Sequence, residues 1–305
     1  MKQSFQKICV LKGGTSAERE ISLLSGEGMA EAARSLGYDV IEFDFTGDIV
    51  ALCEFIKENG VDCVINALHG PAGEDGNIQA VLNFLKVPYT HSGVVASSVG
   101  MDKPLSTSIF KTNGIRVPES KLVEWESFKK NPDFPLPFVI KPTNNGSSCG
   151  VFIIRDLADL ENVDWTFGKT TYVSEYIPGL ELSVGVLDGK ALGVTNIIVK
   201  NGFYDYGNKY TDGAAVHEIP AKIPENIYNE AMQLAEKAHK ILGCRGVTRT
   251  DFRYNDKTGE VFVLEINTQP GMSPLSLVPE QAKHLGMSFA QLVDRLIQDA
   301  CYDEI

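Results

Sequence analysis

No run of apolar residues in this 305-residue chain is long enough to span a bilayer. The opening segment, Met1-Lys2-Gln3-Ser4-Phe5-Gln6, passes straight into a strand-like run, with no apolar targeting stretch and no small-residue cleavage site. A cytoplasmic protein without membrane insertion is the expectation. Positive charge is in short supply: 28 Lys and Arg face 40 Asp and Glu, a net charge of −12. Nucleic-acid binding needs a dense basic face, so no nucleic-acid partner is expected, and any anionic ligand must be met by a few local cations. The six cysteines are scattered, with no Cys-x-x-Cys pair. With a cytoplasmic address, that pattern implies reduced thiols rather than a disulfide framework. Two phosphate-binding signatures are missing as well. Gly13-Gly14 follows the first strand, but the rest of Gly-x-Gly-x-x-Gly is absent, and the polar loop Lys141–Gly150 is not a Walker A pattern, which needs Gly-Lys-Ser/Thr opening a helix. Ser147 has no evident His/Asp relay, which argues against a hydrolase triad.

What is present describes an ordinary globular chain. Hydrophobic residues make up 43% and charged residues 22%, enough for a sizeable core. The length suits two domains of about 150 residues, or three smaller ones. The first third alternates strands and helices. Ile8–Leu11 is a short apolar strand ending at Gly13-Gly14-Thr15-Ser16. A helix follows, with Ser16 as its expected cap and Glu18 and Glu20 in its first turn, where negative charge suits the dipole. Asp39–Phe45 and Asp62–Leu68 read as two more strands. The last is almost wholly apolar and so is expected at the centre of a parallel sheet. Strands separated by helices imply βαβ units, a Rossmann-like α/β arrangement.

The pattern changes near Pro88–Gly93, which sets a first unit at 1–92. A helix is expected at Lys103–Asn113, then a loop punctuated by Pro132, Pro135 and Pro137. Phe138–Lys141 reads as a strand, Thr143–Gly150 as a polar turn and Val151–Ile154 as the partner strand. Thr171–Ile177 is a further strand closed by Pro178-Gly179, giving a second unit at 93–179 and a third at 180–305. In the third unit Asp188-Gly189 marks a type I′ hairpin. Ile227, Ala231, Leu234, Ala238 and Ile241 recur at helical spacing between Pro224 and Gly243. Phe252–Ile266 reads as a second hairpin around Thr258-Gly259, and Ser288 with Gln291 forms a capping-box pair at the last helix.

The most informative chemistry lies at Asp251 and Glu265-Ile266-Asn267. Strand alternation puts Glu265 and Asn267 on one face, and Asp251, at the start of the partner strand, can meet them. A solvated polar face is the commoner fate of acidic residues. Here Val261-Phe262-Val263-Leu264 are apolar, so the strand is expected to be buried and its charges to need partners. Three oxygen ligands suit a hard cation such as Mg²⁺, which shares phosphate oxygens. The loop Lys141–Gly150 can bring N–H groups and hydroxyls to phosphates, although any β-turn has similar residues. The aromatic loop Gly202–Gly213, containing Lys209-Tyr210, reads either as a lid or as a loop packing its own rings. His69-Gly70 ends the third strand, where open α/β sheets bind ligands. His91, His217, His239 and His284 lack metal spacing and read as structural.

Several segments run collinearly along nearly the whole chain: Gly13–Glu20, His69–Gly76, Met101-Asp102-Lys103, Lys141–Gly150, Phe203–Tyr210, Arg249-Thr250-Asp251, and Glu265–Met272 with Ser276-Leu277. In this order they resemble the D-alanine–D-alanine ligases of the ATP-grasp superfamily. The resemblance implies an N-terminal substrate-binding α/β domain followed by a two-part ATP-grasp fold with ATP between its parts. It implies ligation of two D-alanine molecules through an acyl phosphate, releasing ADP and phosphate, for peptidoglycan precursors. Lys103 and Lys141 would contact ATP phosphates, with Ser147 and Ser148 closing over them and Lys209 also at the nucleotide. Glu175, Tyr176 and Ile177 would form the adenine hinge, and Glu181 would hold the ribose hydroxyls. Asp251, Glu265 and Asn267 would bind two Mg²⁺ ions, or Mn²⁺. Arg249 and the Gly271 N–H would stabilise the tetrahedral intermediate. Glu18 would hold the ammonium of the first D-alanine, and His69 would lie near its carboxylate. Ser276 and Leu277 would hold the second carboxylate. Glu18, Ser147 and Tyr210 would form a hydrogen-bonded set, and Tyr210 resembles the dipeptide-forming members. A homodimer is the family expectation.

Two positions depart from the pattern: Ser174, where many relatives are acidic, and Cys149, where an aliphatic residue is usual. The competing readings are a D-alanine–D-lactate or other ATP-grasp carboxylate–amine ligase, a non-catalytic nucleotide-binding module, and a dinucleotide oxidoreductase built on Gly13-Gly14.

Overall fold

A computed structural model of the chain describes residues 5–146, 149–199, 215–273 and 276–304. Three sheets organise these residues. The first is parallel: β1 (Lys7–Gly13) lies between β2 (Asp39–Phe45) and β3 (Cys63–Asn66). The helices α1 (Arg19–Ser35) and α2 (Ile49–Glu58) supply the crossovers expected of βαβ units. The apolar third strand is at an edge, not the centre. Its burial comes from the segment that covers it: Val64 N–H donates to the Pro88 carbonyl at 2.8 Å, and Thr90 N–H donates to the Val64 carbonyl at 3.0 Å. The strand is also shorter than its apolar run, because Asn66 turns the chain by accepting the Leu68 N–H on its own side-chain oxygen at 3.2 Å.

Ser16 does not cap α1. The helix starts at Arg19 with Glu18 at the capping position and no side-chain cap bond. The Ser16 hydroxyl donates instead to the His69 carbonyl at 2.7 Å, which ties the first turn to the loop after β3.

After α3 (Asn77–Leu85) and α4 (Val94–Met101), Asp102 caps α5 (Lys103–Thr112) by accepting the Leu105 N–H at 2.9 Å. The second sheet follows, antiparallel, in the order β4 (Ser120–Glu124), β7 (Thr170–Glu175), β5 (Phe138–Lys141), β6 (Phe152–Ile154). Phe138, Ile140 and Val173 bury one face of it against Trp125 and Phe128 of α6 (Trp125–Lys130).

The third sheet runs β10 (Ala215–Glu218), β9 (Lys190–Val199), β8 (Leu180–Leu187), β11 (Val247–Asn255), β12 (Glu260–Asn267). The β8–β9 turn has φ of +50° at Asp188 and +74° at Gly189, the two positive values a type I′ turn requires. Against this sheet lies α7 (Glu225–Ile241), which buries Ile227, Ala231, Ala235 and Ala238 on Leu182, Val184 and Phe252. The last hairpin begins at Val247, five residues before the apolar pattern at Phe252 suggests, so Asp251 sits mid-strand. Then come α8 (Leu277–His284) and α9 (Phe289–Gln298), the latter opened by the expected Ser288–Gln291 capping box. Leu292, Leu296 and Ile297 of α9 share a core with Ile8, Val10 and Met29 at the other end of the chain.

None of the six cysteines forms a disulfide. Among the described residues no helix is long and apolar enough to cross a membrane.

Candidate active site

A cleft of about 450 Å³ opens between the second and third sheets, lined by Val139 and Lys141 on one side and by Glu181, Asp251 and Glu265 on the other. Lys141 is the last residue of β5. Burial pushes its ammonium down from the usual 10.5 to about 8; nearby Glu265 works against that fall and nearby Lys103 adds to it. Lys103, in the first turn of α5, is buried. Its Nζ donates to the Asn145 carbonyl at 2.7 Å and lies 3.3 Å from Glu265 Oε2. One lysine therefore ties the polar turn after β5 to the last strand of the third sheet, and both lysines face the same carboxylate.

The chain joining β7 to β8 crosses one wall of the cleft, where Ser174, Glu175, Tyr176 and Ile177 all contribute. Glu175 and Tyr176 N–H groups donate to the Glu119 and Pro137 carbonyls, which fixes the segment's path. Cys149 also lines the cleft, its N–H donating to the Gly146 carbonyl at 3.1 Å.

The oxygen-bearing trio comes together through sheet register. Asp251 stands opposite Glu265, and Arg249 opposite Asn267. Residues directly opposite project to the same face, and so do residues two apart. The Asp251 carboxylate accepts from Ser183 Oγ at 2.7 Å and from Arg249 Nε and Nη2 at 2.9 and 2.8 Å. Asn267 Oδ1 accepts the Gln269 N–H at 2.7 Å. Among the described residues no three His, Cys, Asp or Glu gather as a metal cluster; this donor set is two carboxylates and one amide oxygen. All three are hard oxygen donors, which fits Mg²⁺ or Mn²⁺ and not a thiolate- or imidazole-seeking metal.

A second small depression, lined by Glu74, Lys103, Asn145, Gly146, Glu265 and Asn267, leads from this face toward the first sheet. His69 is buried there, its Nδ1 3.1 Å from Glu74 Oε1 and its Nε2 3.2 Å from Ser25 Oγ. Glu18 is buried beside it. A Cβ at Gly70 would lie 2.8 Å from Glu18 Oε2, and one at Gly146 would lie 3.4 Å away, so this carboxylate faces both loops. On the far side Ser276 Oγ accepts the Ser273 N–H at 3.0 Å, and a Cβ at Gly271 would come within 3.0 Å of it. The Leu277 side chain is buried on Ile197, and Leu277 is the first residue of α8. Ser147, Ser148, Lys209 and Tyr210 lie outside the described residues, as does the Phe203–Tyr210 segment. Of the histidines read as structural, His91 and His239 are buried, His91 Nδ1 2.9 Å from Thr90 Oγ1 and His239 Nδ1 2.9 Å from Thr248 Oγ1, and His284 is exposed at the end of α8. His217 differs in approaching Glu280 at 2.6 Å.

Models of the D-ala D-ala ligase N-terminus and C-terminus match residues 50–92 and 109–298. The chain belongs to the D-alanine–D-alanine ligase family. A D-alanine–D-alanine ligase of Acidiphilium cryptum is 46% identical, with 97% of this chain and 98% of the relative covered. One of Caulobacter vibrioides is 47% identical over 96% of this chain and 92% of the relative. The fold is similar to that of the Bacillus anthracis D-alanine–D-alanine ligase complexed with ATP, at a TM-score of 0.81, 29% identity and 97% coverage of each chain. It is also similar to the VanG D-Ala:D-Ser ligase of Enterococcus faecalis, at a TM-score of 0.78 and 27% identity, with 96% of this chain and 99% of that one covered.

Three residues of this ligase-family chain stand at the site without having been singled out in the sequence. Glu74 orients His69. Gln269 accepts from Asn66 Nδ2 at 2.8 Å and donates to the Leu68 carbonyl, reaching from the Asn267 loop to the His69 loop. Arg253 lies under the β7–β8 connection. Asn66 and Leu68 are remote from Gln269, and Ile177 and Gly179 from Arg253. Glu74 and Gln269 fall within the segments His69–Gly76 and Glu265–Met272, whereas Arg253 carried no local signal.

Proposed function

We propose that this chain joins two D-alanine molecules into D-alanyl-D-alanine at the expense of ATP, releasing ADP and phosphate, in the cytoplasm, for peptidoglycan precursors. The observation that carries the reading is the convergence of two lysines with Asp251 and Glu265 on one cleft, Asn267 lining the adjoining depression, with Lys103 Nζ 3.3 Å from Glu265. A carboxylate is a poor electrophile. Attack by a carboxylate oxygen of the first D-alanine on the γ-phosphorus, with loss of ADP, gives an acyl phosphate whose phosphate leaves readily. The second D-alanine then attacks the acyl carbon through its neutral amine, the carbon–oxygen bond to phosphate breaks, and the amine gives up one proton.

The roles proposed for the residues are those the family resemblance implies. Lys103 and Lys141 meet the phosphates, and Lys141 must carry its proton to do so. Glu175, Tyr176 and Ile177 bracket the adenine, and Glu181 takes the ribose hydroxyls. Asp251, Glu265 and Asn267 would hold two Mg²⁺ or Mn²⁺ ions, which when bound offset charge on the transferring phosphoryl group. Glu18 pairs with the first ammonium. His69, held by Glu74 and Ser25, stands by the first carboxylate. Arg249 and the Gly271 N–H receive the oxyanion, since prearranged donors act where charge develops. Ser276 and the Leu277 N–H at the start of α8 suit the second carboxylate, because a helix N-terminus favours an anion. By the same resemblance Ser148 and Lys209 would bind ATP, and Ser147 and Tyr210 would join Glu18 in a hydrogen-bonded set; excluding water matters because it would hydrolyse the acyl phosphate. The units 1–92, 93–179 and 180–305 each contribute one wall. The assembly is a homodimer, to which Phe84 and Val95, 77% and 72% exposed on α3 and α4, offer apolar surface.

Incubation with ATP, Mg²⁺ and D-alanine as the sole amino acid tests the reading. Equimolar dipeptide, ADP and phosphate is the expected result. Turnover that requires D-lactate, D-serine or another second substrate overturns it.

A further inference from the structure

Arg253 faces the nucleotide cleft from β11, directly opposite Glu181 of β8. Its Nε donates to the Ile177 carbonyl at 3.0 Å, its Nη2 to the Gly179 carbonyl at 2.7 Å, and its Nη1 approaches Glu181 Oε2 at 3.4 Å. The three acceptors span the connection between the second and third sheets and the first turnings of β8. A planar guanidinium can serve three such directions at once; an ammonium cannot hold them in a fixed fork. The backbone of the connection comes close enough that Gly179, at φ +105°, has no room for a side chain against the Tyr254 carbonyl. With the Ile177 carbonyl turned to Arg253, the path of the adenine-facing backbone and the position of the Glu181 carboxylate are set by one side chain.

We infer that Arg253 is a positioning residue that sets the ribose specificity of the nucleotide site, by holding the β7–β8 connection and the Glu181 carboxylate in one fixed relation. The inference rests on the assignment of Glu181 to the ribose, and the experiment separates the two. The full-length chain is assayed with ATP and with 2′-deoxyATP, in the unmodified form and as E181Q, R253M and R253K. The unmodified chain prefers ATP. E181Q loses the preference. R253M loses most of it and raises KM for ATP about tenfold, the scale of a lost charge-assisted hydrogen bond, with kcat and the KM for D-alanine little changed. R253K recovers part of the preference. If R253M does not fold, R253K is read alone, and a fall in its preference supports the same conclusion. An unchanged ATP to 2′-deoxyATP ratio in the Arg253 variants, with E181Q shifted, overturns the role of Arg253. An unchanged ratio in E181Q overturns the ribose assignment beneath it.

Discussion

Glu265 is placed between two lysines of different origin, Lys103 from α5 and Lys141 from β5, and opposite a second carboxylate, Asp251. Its negative charge offsets theirs when the site is empty and supplies a hard oxygen ligand when the site is in use. Glu265→Gln keeps the shape and removes the charge. The variant is expected to fold normally and to lose at least about a hundredfold in kcat, the scale of deleting a group aimed at developing charge. Near-normal ligation rates, measured by phosphate release, would contradict the metal-holding role. His91 shows the opposite use of burial. Buried, with a neighbouring His69 opposing a second positive charge, its imidazole is pushed from 6.5 down to about 3. The unfolded chain takes up a proton below about 6.5 that the folded chain refuses, so stability falls as pH drops through that range and is unaffected above it. The loss amounts to about 2 kcal/mol by pH about 5. At φ +73° the position tolerates Asn. His91→Asn is therefore expected to flatten the acid limb of a urea-midpoint profile, and an unchanged limb would show that the proton is taken up elsewhere.

Among the elements, the β7–β8 connection lines the cleft proposed for the nucleotide. Gly179→Ala adds a Cβ at positive φ against the Tyr254 carbonyl. Left-handed backbone alone costs an alanine roughly 1–2 kcal/mol. The expected outcome is a lower melting temperature and a raised KM for ATP with an unaltered KM for D-alanine. Equal change in both constants would mean that the connection serves overall stability only. At this scale the sequence was informative where signals are local. Alternating apolar residues located the β11–β12 hairpin, Asp-Gly located the β8–β9 turn, and Ser288 with Gln291 located the start of α9. It misled where the cause is remote. β3 is apolar because the Pro88–Thr90 segment covers its edge, and Ser16 leaves the helix start because the His69 carbonyl claims its hydroxyl.

Across the whole molecule, the two ends of the chain are joined. Helix α9 completes the core around β1 and α1. Near the C-terminus Asp303 accepts the Val94 N–H at 3.0 Å and pairs with Arg245, fastening the last residues beside α4. The Asn267 and His69 loops are fastened in the same manner by Gln269, whose partner Asn66 is 203 positions away. Contacts of that span leave no periodicity, which is why Arg253 carries no mark in the sequence and Gln269 only its place in the Glu265–Met272 segment, while Asp251, Glu265 and Asn267 stand out. The joined architecture has one chemical purpose in this account: to bring a D-alanine carboxylate to the γ-phosphate and keep water away from the product of that encounter. D-alanine labelled with ¹⁸O in its carboxylate tests this directly. Ligation through an acyl phosphate predicts that each phosphate released carries one ¹⁸O from the amino acid. Unlabelled phosphate accompanying dipeptide formation would contradict the account.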